Sequence, residues 1–230
     1  MFLDPLYLLV MIVGTFVSGA TSLWVKISTS KWQKVAIRRG MTGKEIAQKI
    51  LEIKKIRDVR IERVPGRLSD HYDPRTKVLR LSPDIHDGRS VTSAGVAAHE
   101  VGHAIQHAEG YAPMTFRQLL VPIANIGTSI GIYMVMFGAM LGMMGLAKFG
   151  VILFAGFTLF TIVTLPVEID ASLRAKKALE HGTFLTREEL SGVNQVLTAA
   201  AATYLAAALT AVLQLLYWAF RAGLFGKRRG

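Results

Sequence analysis

Charged residues are absent from four long stretches of the chain, residues 5–25, 118–147, 149–167 and 190–220, which hold 21, 30, 19 and 31 residues. A helix that crosses a bilayer needs about 20 mainly apolar residues. The pattern therefore predicts about four transmembrane helices. The second stretch carries Gly127, Gly131, Gly138 and Gly142, small residues that let membrane helices approach closely. The fourth is rich in alanine at 199–202 and 206–208, so it is expected to pack against other helices. Its start, near Asn194 and Gln195, is expected to lie outside the hydrocarbon. A buried amphipathic helix is the other reading of that segment. Ser18-Gly19-Ala20 is small enough for signal cleavage, but no positive charge precedes the first apolar run, so an uncleaved anchor is expected.

Between the first and second stretches the pattern changes. Thr42-Gly43-Lys44-Glu45 is a capping box, and Ile46, Ile50 and Ile53 follow at helical spacing. Residues 58–64 alternate, with Val59 and Ile61 against Arg60 and Glu62, as a half-buried strand does. Asp73-Pro74-Arg75-Thr76 is turn chemistry, and residues 77–82 read as a second strand. Ser90 can cap a helix over 91–108 that stops at Gly110, with Pro113 beyond. The expected fold class is thus a mainly α membrane protein with a small α+β domain. Its parts are an anchor (1–25), the α+β domain (26–117), two spans (118–167), a helix (168–189) and a final span with a basic tail (190–230).

Composition sharpens this picture. Apolar residues make up 51% and charged residues 19%, and mean hydropathy is +0.37. There are no cysteines, which excludes disulfides, thiol nucleophiles and Cys-ligated metals. The net charge of +11 suggests nucleic acid, but its distribution does not. Eighteen of the 27 Lys and Arg lie in 26–117, directly after an apolar run. Basic residues in that position report membrane orientation and contact with anionic lipid. No nucleic-acid-binding signature accompanies them, so no nucleic-acid partner is expected.

The charge count also orients the chain. Residues 26–117 and 168–189 together hold 22 basic residues, and the opposite side holds five. The positive-inside rule places the larger soluble region on the cytoplasmic side of a multi-pass cell-membrane protein. Lys227-Arg228-Arg229 runs against the rule, because four spans would put that tail outside.

The helix over 91–108 contains His99-Glu100-Val101-Gly102-His103, an H-E-x-x-H motif. Residues four apart on a helix share a face, so two imidazoles can converge on one Zn²⁺. Glu100 can reach a water in the open position and take its proton. With 6 His and the glutamates in this chain, chance placement gives roughly 0.006 matches to this motif. The surrounding Ala97, Ala98, Gly102, Ala104 and Ile105 make the helix small and apolar. Buried histidines in such a helix need partners.

A catalytic zinc needs a third protein ligand and an open position. His107 lies about 12 Å along the axis from His99, too far to close on the same ion. Glu109 stands where the long metzincin motif has its third His, but Gln106 replaces the glycine that motif uses to turn the chain. Glu168 ends the third span, on the same expected side as the motif. An ionisable group there is costly and tends to be functional. A second helix delivering a Glu to an H-E-x-x-H helix is the gluzincin arrangement, and Glu168 is the favoured ligand.

Four segments, taken in order, resemble the YugP-type membrane zinc metallopeptidases of bacteria. They are Ser69-Asp70-His71-Tyr72-Asp73-Pro74-Arg75-Thr76, residues 96–107 around the motif, Tyr111-Ala112-Pro113, and Leu165-Pro166-Val167-Glu168-Ile169-Asp170-Ala171-Ser172. The resemblance covers nearly the whole chain, including residues 197–204 of the last span. It is more distantly similar to HtpX-like proteases and CAAX prenyl endopeptidases, which use a Glu opening an E-x-x-x-D pattern. By that analogy Glu168 is the third ligand. Ser172 departs from it, because the distant relatives have Asp there to support a ligating His. Asp170 could stand in, though from another helical face.

The resemblance implies peptide-bond hydrolysis with Zn²⁺ held by His99, His103 and Glu168. Glu100 would be general base and then general acid. His71 and Tyr72, just before the 77–82 strand, are candidates for stabilising the tetrahedral intermediate, as is Arg174. The other reading of His71 is a turn residue bonded to the Asp70 or Asp73 backbone. His86 and His181 are expected to be exposed. An extended peptide substrate could add to the 77–82 strand by β-augmentation. The rival function is a non-proteolytic scaffold or assembly factor with a structural zinc. Such a site has no need of Glu100. A transporter is disfavoured, because the spans hold no ionisable residue to mark an ion path.

Overall fold

The computed structural model describes residues 4–224. The tail at Lys227-Arg228-Arg229 lies outside the described residues. In chain order the elements are α1 (Pro5–Gln33), α2 (Gly43–Ile53), β1 (Arg60–Arg63), β2 (His71–Asp73), β3 (Val78–Leu81), α3 (Pro83–His86), α4 (Val91–Ala108), α5 (Ala112–Ile126), one π turn (Gly127–Gly131), α6 (Ile132–Met140), α7 (Met144–His181) and α8 (Arg187–Arg221). Four helical stretches are long and apolar enough to cross a membrane: Pro5–Gln33, Ala112–Met140, Met144–His181 and Arg187–Arg221. The chain forms two compact units.

The first unit comprises 1–20, 115–166 and 203–230, and its described part is helical apart from short turns. Glycines set its closest approaches. A Cβ at Gly138 would lie 2.5 Å from the Ala147 nitrogen, and one at Gly150 would lie 2.6 Å from the Val135 nitrogen. These two helices touch backbone to backbone, where only glycine fits. The break between them falls at 141–143, with Gly142 at φ +71°, rather than at Lys148. A left-handed glycine ends a helix, whereas Lys148 sits one turn inside α7.

The second unit comprises 21–114 and 167–202. Its core gathers Trp32, Ile46, Ile50, Leu51, Leu79, Leu81, Val91, Val101, Ile105, Val167, Leu179 and Val193, all buried. The Thr42–Glu45 capping box forms, with each side chain bonded to the other residue's backbone N–H. Its apolar stripe turns α2 against α4. Ser90 caps α4 by accepting from the Ser93 N–H, and Gly110 at φ +65° ends it. The strands predicted over 58–64 and 77–82 appear in shorter form as β1 and β3.

β2 is an element the sequence pattern missed. It is three residues long, paired antiparallel to β3 through His71–Arg80, Tyr72–Leu79 and Asp73–Val78. The turn chemistry at Asp73–Thr76 is its hairpin loop, closed by Lys77 at φ 53°. The sheet order is β1-β3-β2, with β1 parallel to β3. The 77–82 strand is therefore central and cannot template a peptide, because both its edges are already paired. The 168–189 segment is also not a separate helix. Helix α7 runs without a break from Met144 to His181, with Pro166 inside it. The chain then turns at Thr183 (φ 49°), and a second capping box, Thr186 with Glu189, starts α8.

Candidate metal centre

Helix α4 passes within backbone contact of α7. A Cβ at Gly102 would lie 2.3 Å from the Ala171 carbonyl oxygen. That approach brings the α4 face bearing His99 and His103 onto the α7 turn bearing Glu168. The Glu168 carboxylate Oε2 sits 3.2 Å from His99 Nε2 and 3.5 Å from His103 Nε2. The two imidazole rings lie edge to face with centroids 4.8 Å apart. The ligand atoms of all three residues lie within 4.8 Å of one another.

These distances test whether a zinc ion fits. Zn–N and Zn–O bonds of about 2.0–2.2 Å in a tetrahedron put neighbouring ligand atoms about 3.4 Å apart. The two measured edges fall on either side of that value. Both imidazoles present Nε2, because their Nδ1 atoms are engaged elsewhere. His99 Nδ1 lies 3.1 Å from the Ser172 hydroxyl, and His103 Nδ1 lies 3.0 Å from Gln106 Oε1. The residues present fit a divalent ion with one position open.

The surroundings favour positive charge at this point. Burial opposes a charged His103, but the hydrogen bond and charge of Glu168 outweigh it. Its pKa is raised above the ordinary imidazole value. Glu168 and Glu100 are buried, at 3% and 8% exposure. Burial leaves little competing water, so charge interactions there are strong. Glu100, next to His99 on the same helix, accepts no side-chain hydrogen bond among the described residues.

The other candidates are placed as follows. Glu109 is exposed and pairs with Arg174, which also donates to Asp170 at 2.5 Å and lies over the Tyr111 ring. Neither Glu109 nor Arg174 joins the cluster. His107 meets the Tyr72 hydroxyl at 2.8 Å instead of the cluster. Tyr72 is buried, and burial, with the charges of Asp58 and Asp73, pushes its hydroxyl up to about 12. It stays a neutral hydroxyl. His71 is exposed. Its Nδ1–H donates to the Ser69 carbonyl at 2.8 Å and its Nε2 faces Arg80 at 3.4 Å. It thus bonds local backbone as a turn residue would, but that of Ser69 rather than Asp70 or Asp73. His181 is exposed, but His86 is not. Its side chain is 12% exposed and bonds Asp87 at 2.6 Å, because the short α3 turn docks against α4.

Two residues near the ligands carry more than the sequence suggested. Ser172, the departure from the E-x-x-x-D pattern, occupies the support position of His99. Gln106 was noticed only as a residue that blocks the metzincin turn. The available signal was its place in a helix of small apolar residues, where a buried amide must be hydrogen-bonded.

A half-buried and a buried imidazole meet a buried carboxylate in a cluster that could hold a metal ion, on a chain with four helices long and apolar enough to cross a membrane. The chain belongs to the family described as "Putative neutral zinc metallopeptidase", which matches residues 7–223. It is 42% identical over 206 residues to the "Putative membrane protease YugP" of Bacillus subtilis (strain 168), covering 88% of this chain and 92% of that one. No solved structure matches the chain.

Proposed function

We propose that this protein is a membrane-embedded, zinc-dependent endopeptidase of gluzincin type, with His99, His103 and Glu168 as metal ligands and Glu100 as general base. The observation that carries the reading is the Glu168 carboxylate, set 3.2 and 3.5 Å from two Nε2 atoms of an H-E-x-x-H helix. Family membership supports zinc as the metal and peptide as the substrate. When bound, the ion would polarise the scissile carbonyl and lower the pKa of water.

The chain's own residues would do the rest. Glu100 takes the proton of the attacking water on its carboxylate and delivers it to the leaving amide nitrogen. Its burial keeps competing water from that carboxylate. Of the two intermediate-stabilising candidates, Tyr72 is buried and bonded to His107, while His71 faces solvent, so Tyr72 would need to release His107 to reach the reacting carbonyl. β2 is an edge strand that packs against α4. A peptide adding to its free edge would lie along the motif helix, taking the role that the central β3 cannot. The excess of basic residues in 26–117 and 168–189 supports a cytoplasmic site.

The test is zinc content and casein hydrolysis, measured on detergent-purified wild type and Glu100→Gln side by side. Zinc in both, with cleavage by the wild type alone and a loss of at least 10²-fold in the variant, is the expected result. Equal cleavage by the two would remove Glu100 from the chemistry. Zinc in neither, after reconstitution, would refute the ligand assignment.

A further inference from the structure

We infer that Gln106 is a positioning residue that fixes which ring nitrogen of His103 is free to bind metal. The inference rests on the metal reading above and moves one layer out from the ligands. Gln106 lies one turn after His103 on α4 and is fully buried. Its Nε2 lies 2.8 Å from the Val167 carbonyl oxygen and 2.8 Å from the Asp170 carboxylate. Both of those groups can only accept. An amide has one donor end and one acceptor end, so its NH₂ must face them, one hydrogen to each. Its Oε1 then has one place left, 3.0 Å from His103 Nδ1.

A carbonyl oxygen only accepts. His103 Nδ1 must therefore carry a ring hydrogen, which leaves Nε2, 3.5 Å from Glu168, as the nitrogen that faces the metal position. The chain of donors and acceptors continues outward. Arg174 donates to Asp170 at 2.5 Å and also to Glu109 at the surface. Each link has one allowed direction from Glu109 to the ring. His99 differs in this respect. Its Nδ1 meets the Ser172 hydroxyl at 3.1 Å, and a hydroxyl can donate or accept. Of the two Nδ1 atoms, that of His103 alone meets a group that can do nothing but accept.

The test compares full-length wild type, Gln106→Met and Gln106→Glu in detergent. Zinc affinity is measured by chelator competition, and the hydrogen bond of His103 Nδ1–H by its ring ¹⁵N and ¹H shifts. Gln106→Met keeps the volume and removes the acceptor. It should weaken zinc binding 10–100-fold and shift the His103 Nδ1–H signal as its hydrogen bond is lost. Gln106→Glu keeps an acceptor for the ring and, when protonated, a donor for Asp170. It should recover most of the affinity. Wild-type affinity in Gln106→Met, or equal losses in both variants, would overturn the inference. If Gln106→Met does not fold, Asp170→Asn asks the same question, because an NH₂ there competes with the Gln106 NH₂. It should also weaken binding, and unchanged affinity would count against the inference. Failure of the wild type itself to bind zinc would strike the metal reading, while the Nδ1–H signal would still decide this one.

Discussion

Gly102→Ala should separate the metal ligands without touching any of them. The added Cβ would stand 2.3 Å from the Ala171 carbonyl oxygen and 3.1 Å from its Cα. The obstacle is the backbone of a helix, so no rotamer change relieves it. Restoring ordinary contact requires α4 and α7 to part by about 1 Å. His99 and His103 flank Gly102, and Glu168 lies one turn before Ala171. Their separations of 3.2 and 3.5 Å would open past the roughly 3.4 Å edge that tetrahedral zinc requires. Overpacking costs about 1–3 kcal/mol, and replacing a helical glycine returns about 1 kcal/mol. The net is a destabilisation of up to about 2 kcal/mol. A misplacement of about 1 Å also costs roughly 10²-fold in activity. Gly95→Ala is the reference. It makes the same substitution in the same helix, but its Cβ would meet the Val193 side chain at 3.3 Å, which can yield. Zinc affinity by chelator competition and Tm of the metal-free protein should fall in Gly102→Ala and hold or rise slightly in Gly95→Ala. Wild-type zinc affinity in Gly102→Ala would refute the claim that helix contact sets the ligand geometry.

Ser172→Ala removes the hydroxyl 3.1 Å from His99 Nδ1. Zinc affinity by the same competition should fall by roughly 10-fold, the low end for a support residue, and Ser172→Asp should restore it. Asp73 reports on the β2–β3 hairpin. Its carboxyl is held down at about 2, first by the Thr76 hydroxyl, against some burial, with further help from the Arg75 N–H and Arg80. A depressed carboxylate stabilises the fold above its unfolded pKa of about 3.9. That contribution is lost as pH falls toward about 2. Asp73→Asn should flatten the Tm-against-pH curve between about pH 4 and 2, and an unchanged acid slope would show that the hairpin carboxylate does not contribute.

Much of the architecture was legible from local pattern. Apolar length gave the spans, because a bilayer imposes its thickness on any helix that crosses it. The capping box at Thr42–Glu45 and the Ser90 cap marked helix starts that the structure repeats, because capping is a contact among residues three apart. The H-E-x-x-H spacing put two imidazoles on one face, because helical periodicity is local. β2 escaped notice because three residues are too few to display an alternation. The order β1-β3-β2 could not be read at all, since pairing depends on which edges meet in space.

The choice among Glu109, His107 and Glu168 belongs to tertiary structure in the same way. Their distances from the histidines along the chain say little, and the backbone contact at Gly102 with Ala171 decides which carboxylate reaches the imidazoles. The same contact turns Ser172 toward His99 and brings Val167 and Asp170 to Gln106. The sequence by itself determined the spans, the motif helix and its chemistry, because each depends on residues within a few turns of one another. Only the tertiary structure showed which carboxylate meets both histidines, what supports the two imidazoles and which strand lies at the sheet edge beside α4. Each of these depends on groups far apart in the chain, which meet only once the core has packed.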